Sequence, residues 1–124
     1  MSANPDANFL GNLTDQEYDV ELEKLEIIRK HVSKFDYFLP NQKMIERLQN
    51  AFNSSHKISG ADASFYFHEL KEAALMEEGY DWYTAHPMAI KYYGVSPYSL
   101  YHPEVIKAYP DDFNRNWRKA WGID

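Results

Sequence analysis

The residues best suited to chemistry stand together in the segment His68-Glu-Leu-Lys-Glu72. His68 and Glu72 are four positions apart, so a helix places both side chains on one face. This spacing is a variant of the zincin helix signature, in which two ligands one turn apart bind a metal and the glutamate beside the first ligand activates water. The pattern predicts His68 and Glu72 as metal ligands and Glu69 as the catalytic base.

A third ligand must come from elsewhere in the chain, and the candidates are His86 and His102. Of these, His86 joins the predicted catalytic and metal-binding cluster. A divalent metal such as zinc is the cofactor that this set suggests, because zinc accepts imidazole and carboxylate ligands. The full signature has a second histidine at the position that Glu72 occupies here, so the chain departs from it at one ligand.

A purely structural interpretation of these residues is also open. His68 and Glu72 then form an ordinary pair one helical turn apart. His86 becomes a hydrogen-bonded core residue, and its meeting with Glu72 or Glu69 would fix the packing without any catalysis. Three further histidines fall outside the cluster: the sequence places His31 and His56 on the surface and His102 at the entry of a helix.

The helix that carries the cluster is apolar on two sides. At about 100° per residue, a group of residues falls on the side of Leu70: Ala63, Tyr66, Phe67, Ala73 and Ala74. Phe65, Leu75 and Met76 fall on the opposite side, together with His68 and Glu72. A helix of this kind is usually central. The pattern therefore predicts that His68 and Glu72 are buried.

Periodic apolar residues and helix-ending signals predict five or six helices that hold the cluster in place. The first predicted helix starts with a capping box at Thr14 and closes at Pro40, and the second is capped by Asn41. The third runs from Gly60 to Glu78 and the fourth from Asp81 to Gly94. A fifth starts at Pro103, and a last one starts at Asp111 or Asp112. Residues 1–12 are predicted to be a flexible N-terminus. Residues 13–124 are predicted to form one all-α domain, an irregular helical bundle.

Composition excludes several classes of function. The chain has 124 residues, no cysteine and a net charge of -6. The absence of cysteine excludes disulfides and thiolate chemistry, and the acidic balance makes nucleic acid an unlikely partner. Neither a signal peptide nor a membrane-spanning run is visible. We therefore expect a soluble chain that is cytoplasmic or delivered by a carrier protein.

Three stretches of the chain resemble a module found at the C-terminal ends of bacterial polymorphic toxins. They are Ile58 to Glu72, Ala85-His86, and Tyr93 to Ile106, and the likeness extends from Ile58 to Trp121. Similar segments occur in Rhs-type proteins, in contact-dependent toxins and in phage head-associated MuF proteins. The resemblance implies a bacterial or phage origin and a protein partner, either an immunity or a delivery protein.

Carried onto this chain, the resemblance points to four residues: His68, Glu69, Glu72 and His86. Two hypotheses follow from the sequence. One is a toxin-module-like domain with metal-assisted hydrolytic activity. The other is a non-enzymatic protein–protein interaction module, immunity-like or structural, with a buried His–Glu network.

Overall fold

The structure, a computed structural model, describes residues 9–123 and is built from helices. The described part contains six α-helices: α1 (Leu22–Val32), α2 (Leu39–Asn53), α3 (Gly60–Glu77), α4 (Trp82–Tyr93), α5 (Pro103–Ala108) and α6 (Arg115–Trp121). There are also two short 3-10 helices: Gly11–Leu13 lies before α1, and Pro97–Leu100 lies between α4 and α5. The same residues form no sheet, and the prediction of an all-α irregular bundle is confirmed. None of these helices is long and apolar enough to cross a membrane.

Helix α3 lies at the centre of the bundle. It packs against α1, α2, α4 and the second 3-10 helix. Its residues are buried on both sides: Tyr66 is 1% exposed and Phe65 2%. Such burial removes large aromatic surfaces from water and makes α3 the main contributor to the core. The prediction of a central helix is confirmed, and its start at Gly60 is correct.

Helix α4 begins and ends where the sequence predicts. The Asp81 side chain caps its N-terminus by accepting a hydrogen bond from the Thr84 amide at 2.9 Å. Gly94 ends it in the left-handed conformation, with φ of 66°, which glycine adopts without steric cost. These two ends fix the helical phase of α4, and with it the direction in which His86 points.

The first helix is much shorter than its sequence pattern suggests. It begins at Leu22 rather than near Thr14, so the predicted start is wrong. The reason is a long-range contact: Tyr18 pairs with Ile58 through two backbone hydrogen bonds of 2.9 and 2.7 Å. Extended backbone at Tyr18 excludes a helix there.

The predicted starts of α2 and α6 are also wrong. Pro40 does not close α1; it lies in the first turn of α2, where proline costs no hydrogen bond. Asn41 is therefore inside α2, and the residue before the helix is Phe38. The last helix starts at Arg115 and is capped by the Asn114 side chain, not by Asp111 or Asp112.

The N-terminal segment is packed as far as the structure describes it. Most of the predicted flexible segment, residues 1–8, lies outside the described residues. Phe9 is 7% exposed and meets Trp121 edge to face at 4.8 Å between ring centroids. Its carbonyl accepts a hydrogen bond from the Ser96 amide. The packed domain therefore includes residues before position 13.

Gly11 anchors this segment to the end of α4, and its substitution is expected to destabilise the fold. Its φ is 50°, and a Cβ there would lie 2.3 Å from the carbonyl oxygen of Gly94. We expect Gly11→Ala to cost more than about 2 kcal/mol in unfolding free energy, since backbone strain and a steric clash add. Gly60 is the matched control: its φ is 54° and nothing lies within 4 Å of an added Cβ. Chemical denaturation should show the smaller loss for Gly60→Ala, and equal losses would refute the close approach.

Candidate metal centre

Helices α3 and α4 bring three of the predicted site residues together. His68 Nε2 lies 2.9 Å from Glu72 Oε2, and His86 Nδ1 lies 2.9 Å from the same oxygen. The two ring nitrogens are 3.0 Å apart. Each pair of donor atoms is therefore in contact, and the three atoms form a nearly regular triangle. His68 and Glu72 are 3% and 2% exposed, while His86 is half-buried.

Glu69 completes the predicted set from a position beside the triangle. Its carboxylate oxygen lies 3.8 Å from His68 Nε2, and its side chain is 12% exposed. It lines the same cavity as the other three residues. The structure thus places all four predicted residues in one cluster, with Glu69 at the edge rather than within the triangle.

His31 belongs to the cluster, and its predicted surface position is wrong. It is 2% exposed, and its Nε2 lies 2.8 Å from Glu72 Oε1, the carboxylate oxygen that faces away from the triangle. His31 stands three residues after Ile28, on the buried face of α1. The spacing of His31 from Ile28 is visible in the sequence, whereas the contact of His31 with Glu72 on α3 is not.

His102, the other candidate for a third ligand, lies outside the cluster. Its Nδ1 accepts a hydrogen bond from the Glu104 amide at 3.0 Å, so it caps α5. This is the helix-entry position that the sequence suggested for it. Of the two alternatives for the third residue, the geometry selects His86.

The electrostatics of the cluster favour a neutral imidazole beside an ionised carboxylate. Burial lowers the pKa of His68, and the neighbouring Glu72 offsets only part of that effect. Burial alone would raise the pKa of Glu72, but hydrogen bonds from His31, His68 and His86 hold it well below its usual range. A neutral imidazole and a carboxylate are the forms that bind metals.

The pKa of Glu69 shifts in the opposite direction to that of Glu72. Burial raises the pKa of its carboxyl group well above the usual value, and the negative charge of Glu72 raises it further. Two carboxyl groups in contact with the same histidine thus have pKa values that are pushed apart. Such a pair is typical of sites in which one group holds charge and the other moves a proton.

Protons alone cannot satisfy the triangle. Each of its three edges needs one hydrogen atom to be a hydrogen bond, yet an ionised Glu72 supplies none and each neutral imidazole supplies at most one at the atom concerned. If both ring nitrogens donate to Glu72, two N–H groups face each other across the 3.0 Å edge between the rings. If one ring donates to the other instead, the accepting nitrogen and Glu72 bring two lone pairs together. A cation between the three atoms would turn every edge into a favourable arrangement.

The outer nitrogens of the two fully buried imidazoles are unpaired: neither His31 Nδ1 nor His68 Nδ1 has a hydrogen-bond partner among residues 9–123. In many metal sites a second group holds that nitrogen and fixes the tautomer. Here the contacts inside the cluster decide which nitrogen of each ring carries the proton.

A cavity of about 500 Å³ opens onto the triangle. Six aromatic residues supply much of its wall: Phe35, Phe38, Phe65, Trp82, Tyr101 and Trp117. Trp82 stacks on the His86 ring, with centroids 4.7 Å apart and planes inclined by 23°. The Tyr101 hydroxyl donates to Asn41, which also lines the cavity. The cluster therefore faces a space large enough for a small molecule or a side chain.

Comparisons with protein-family models, with curated proteins and with solved structures find no match to this chain. The functional argument consequently depends on the geometry of the cluster and the cavity.

His31 is expected to position Glu72, and its loss should weaken metal binding. We expect His31→Ala to raise the Kd for zinc about 10- to 100-fold, as is usual when a partner of a ligand is removed. His31→Gln should recover part of the affinity, because its amide can still donate to Glu72. Competition with a chromophoric chelator measures both values. His56 is exposed and outside the cluster, so His56→Ala should bind zinc as the wild type does; equal affinity in His31→Ala would exclude the positioning role.

Proposed function

We propose that His68, Glu72 and His86 bind a divalent metal ion, preferably zinc, and that the site hydrolyses an ester or amide bond. The observation that supports this most strongly is the triangle of donor atoms 2.9–3.0 Å apart at the end of a cavity. Atoms bound tetrahedrally to one zinc ion at about 2.0–2.2 Å lie about 3.3–3.6 Å from one another. The three atoms are therefore close enough to share an ion, and they would move apart by about 0.3–0.7 Å to bind it.

The ligand types also suit catalysis rather than structure alone. Two imidazoles and one carboxylate are a set found in catalytic zinc sites, which keep a further position open for water or substrate. His68, Glu72 and His86 all line the cavity, so a water molecule or substrate in the cavity is close to the proposed ligands. His31 does not line the cavity; it contacts the remaining oxygen of Glu72 and orients the carboxylate.

Glu69 is the group that we assign to proton transfer. A water molecule attacks the carbonyl carbon while the Glu69 carboxylate takes one of its protons. The bond from the carbonyl carbon to the nitrogen or oxygen of the leaving group then breaks, and Glu69 returns the proton to that atom. The products are a carboxylic acid and an amine or alcohol, so atoms and charges balance.

The biological setting that we propose follows from the resemblance to polymorphic toxin modules. A hydrolase of this kind would be a toxin domain of bacterial or phage origin that works with an immunity or delivery protein. Expression of the chain should then inhibit bacterial growth, and Glu69→Gln should relieve the inhibition. Full growth inhibition by the Glu69→Gln variant would dismiss this mechanism of toxicity.

A non-enzymatic role is supported by a different observation. Both oxygens of Glu72 contact buried or half-buried histidines at 2.8–2.9 Å, as in a polar network that fixes core packing. In that case the domain would be an interaction module, immunity-like or structural. It would retain its fold and its partner when metal is withheld, which separates it from the first proposal.

Metal content after equilibrium dialysis against zinc tests the proposed centre. We expect about one zinc ion per chain for the wild type and for His56→Ala, the variant of an exposed histidine. His86→Ala should retain little, because it removes one of three ligands while leaving the buried pair on α3 in place. Zinc retention by His86→Ala at the wild-type level would refute the assignment.

A further inference from the structure

The residues that line the cavity indicate a chemical class of substrate, which the three proposed ligand atoms do not. We propose that the site acts on an uncharged or cationic ester or amide that carries an aromatic or bulky apolar group beside the bond to be cleaved. The inference rests on the proposed function. It adds the chemical class of the substrate and excludes phosphate esters.

The first support is the apolar character of the wall. Of the aromatic rings in the wall, Phe35 and Trp82 are exposed, Trp117 and Tyr101 are partly buried, and Phe65 is buried. Phe35 and Trp82 are each 37% exposed, so part of their surface is in contact with water. A ligand that covers these rings would remove apolar surface from solvent, which stabilises binding in proportion to the area covered.

The second support is the position of one ring next to the proposed chemistry. Trp82 stacks directly on His86 and lines the cavity, so its ring lies next to one of the three proposed ligands. A planar group bound against this wall would place the bond beside it within reach of Glu69 and the ligands. Edge-to-face and stacked contacts between such rings add further stabilisation.

The third support is the charge of the wall. Its carboxylates are Asp36, Glu69 and Glu72, and no lysine or arginine of the described chain lines the cavity. Asp36 and Glu72 alone balance the charge of a divalent ion, and Glu69 adds no positive charge in either protonation state. Sites for phosphate esters usually supply arginine, lysine or a helix N-terminus against the anion. The cavity therefore favours neutral or cationic ligands.

Cobalt-loaded protein offers a direct test, because a cobalt(II) centre has a visible absorption spectrum that changes when a ligand binds to the metal. Acetohydroxamate and benzohydroxamate present the same chelating group and differ in a methyl against a phenyl ring. We expect benzohydroxamate to bind at least about tenfold more tightly. Phenyl phosphate, which carries the same ring on an anionic group, should bind more weakly than benzohydroxamate.

A matched pair of variants assigns the preference to the wall. Phe35→Ala should bring the two hydroxamates close to equal affinity, whereas Tyr37→Ala should preserve the difference. Tyr37 is 75% exposed, is two residues away and is not part of the wall. Phe35 also contacts the His31 ring edge to face, so the metal site of Phe35→Ala needs its own control. That control is the cobalt spectrum without hydroxamate, which we expect to match the spectrum of the wild type.

The outcomes separate the two proposals. A chain that gives no cobalt absorption refutes the metal centre itself. A cobalt centre that binds both hydroxamates equally, or binds phenyl phosphate most tightly, refutes the substrate class and leaves the metal centre standing. A preference for benzohydroxamate that Phe35→Ala removes supports both.

Discussion

Replacing Glu72 with alanine is expected to lower the free energy of unfolding by about 3–5 kcal/mol. The carboxylate contacts His31, His68 and His86 at 2.8–2.9 Å, and two of these rings are fully buried. Its removal leaves buried donors without an acceptor and opens space between α1, α3 and α4. For a domain of this size the loss corresponds to a fall in Tm of roughly 10–20 °C.

Glu77 is the matched control on the same helix. It is exposed, and Glu77→Ala should change stability by less than about 0.5 kcal/mol. Thermal unfolding followed by circular dichroism, with metal removed from all samples, measures the difference. If Glu72→Ala melted at the wild-type temperature, the structural network around Glu72 would not be tenable.

The contribution of Glu72 should also depend on pH. Its pKa in the folded protein lies well below its ordinary value of 4.5. The stabilising effect of ionised Glu72 is therefore present above the ordinary pKa of 4.5 and is lost progressively as the pH falls below 4.5. The stability difference between the wild type and Glu72→Gln should shrink on acidification from neutral pH, and a difference that grew instead would contradict the ionised form in the folded state.

The second large effect is expected from Glu69. With p-nitrophenyl acetate as the probe, we expect the zinc-loaded wild type to hydrolyse the ester and Glu69→Gln to do so about 10²- to 10⁴-fold more slowly. The amide fills the same space but cannot take a proton from water. The zinc content of Glu69→Gln should stay at the wild-type level, since Glu69 lies outside the triangle of ligand atoms.

Glu77→Gln provides the same chemical change at an exposed position and should leave the rate unaltered. Assays with and without a chelator separate metal-dependent hydrolysis from background. A wild-type rate in zinc-loaded Glu69→Gln would exclude Glu69 as the proton-transfer group while leaving the ligands unaffected.

Local signals were enough to find the helix that carries the site. Gly60 and Asp81 mark the starts of α3 and α4, and Gly94 marks the end of α4, because capping and left-handed backbone depend on neighbouring residues in the chain. The two apolar sides of α3 gave the burial of His68 and Glu72. These features follow from helical periodicity and from the residues at the helix ends.

Long-range contacts account for what the sequence did not reveal. The pairing of Tyr18 with Ile58 shortens α1, and no local pattern announces it. His31 is buried because Glu72 approaches it across 41 residues of sequence. The cavity wall likewise combines Phe35, after α1, with Trp117 in α6. The spacing of His31 from Ile28 indicates the buried face of α1, but no local pattern indicates which distant residues meet in the folded chain.

Anomalous diffraction at the zinc edge, from crystals of the zinc-loaded protein, tests the central claim most directly. We predict a peak within bonding distance of His68 Nε2, Glu72 Oε2 and His86 Nδ1, and its absence from crystals of His86→Ala. Crystals that hold zinc only at other positions, with these three atoms still 2.9–3.0 Å apart, would contradict the account.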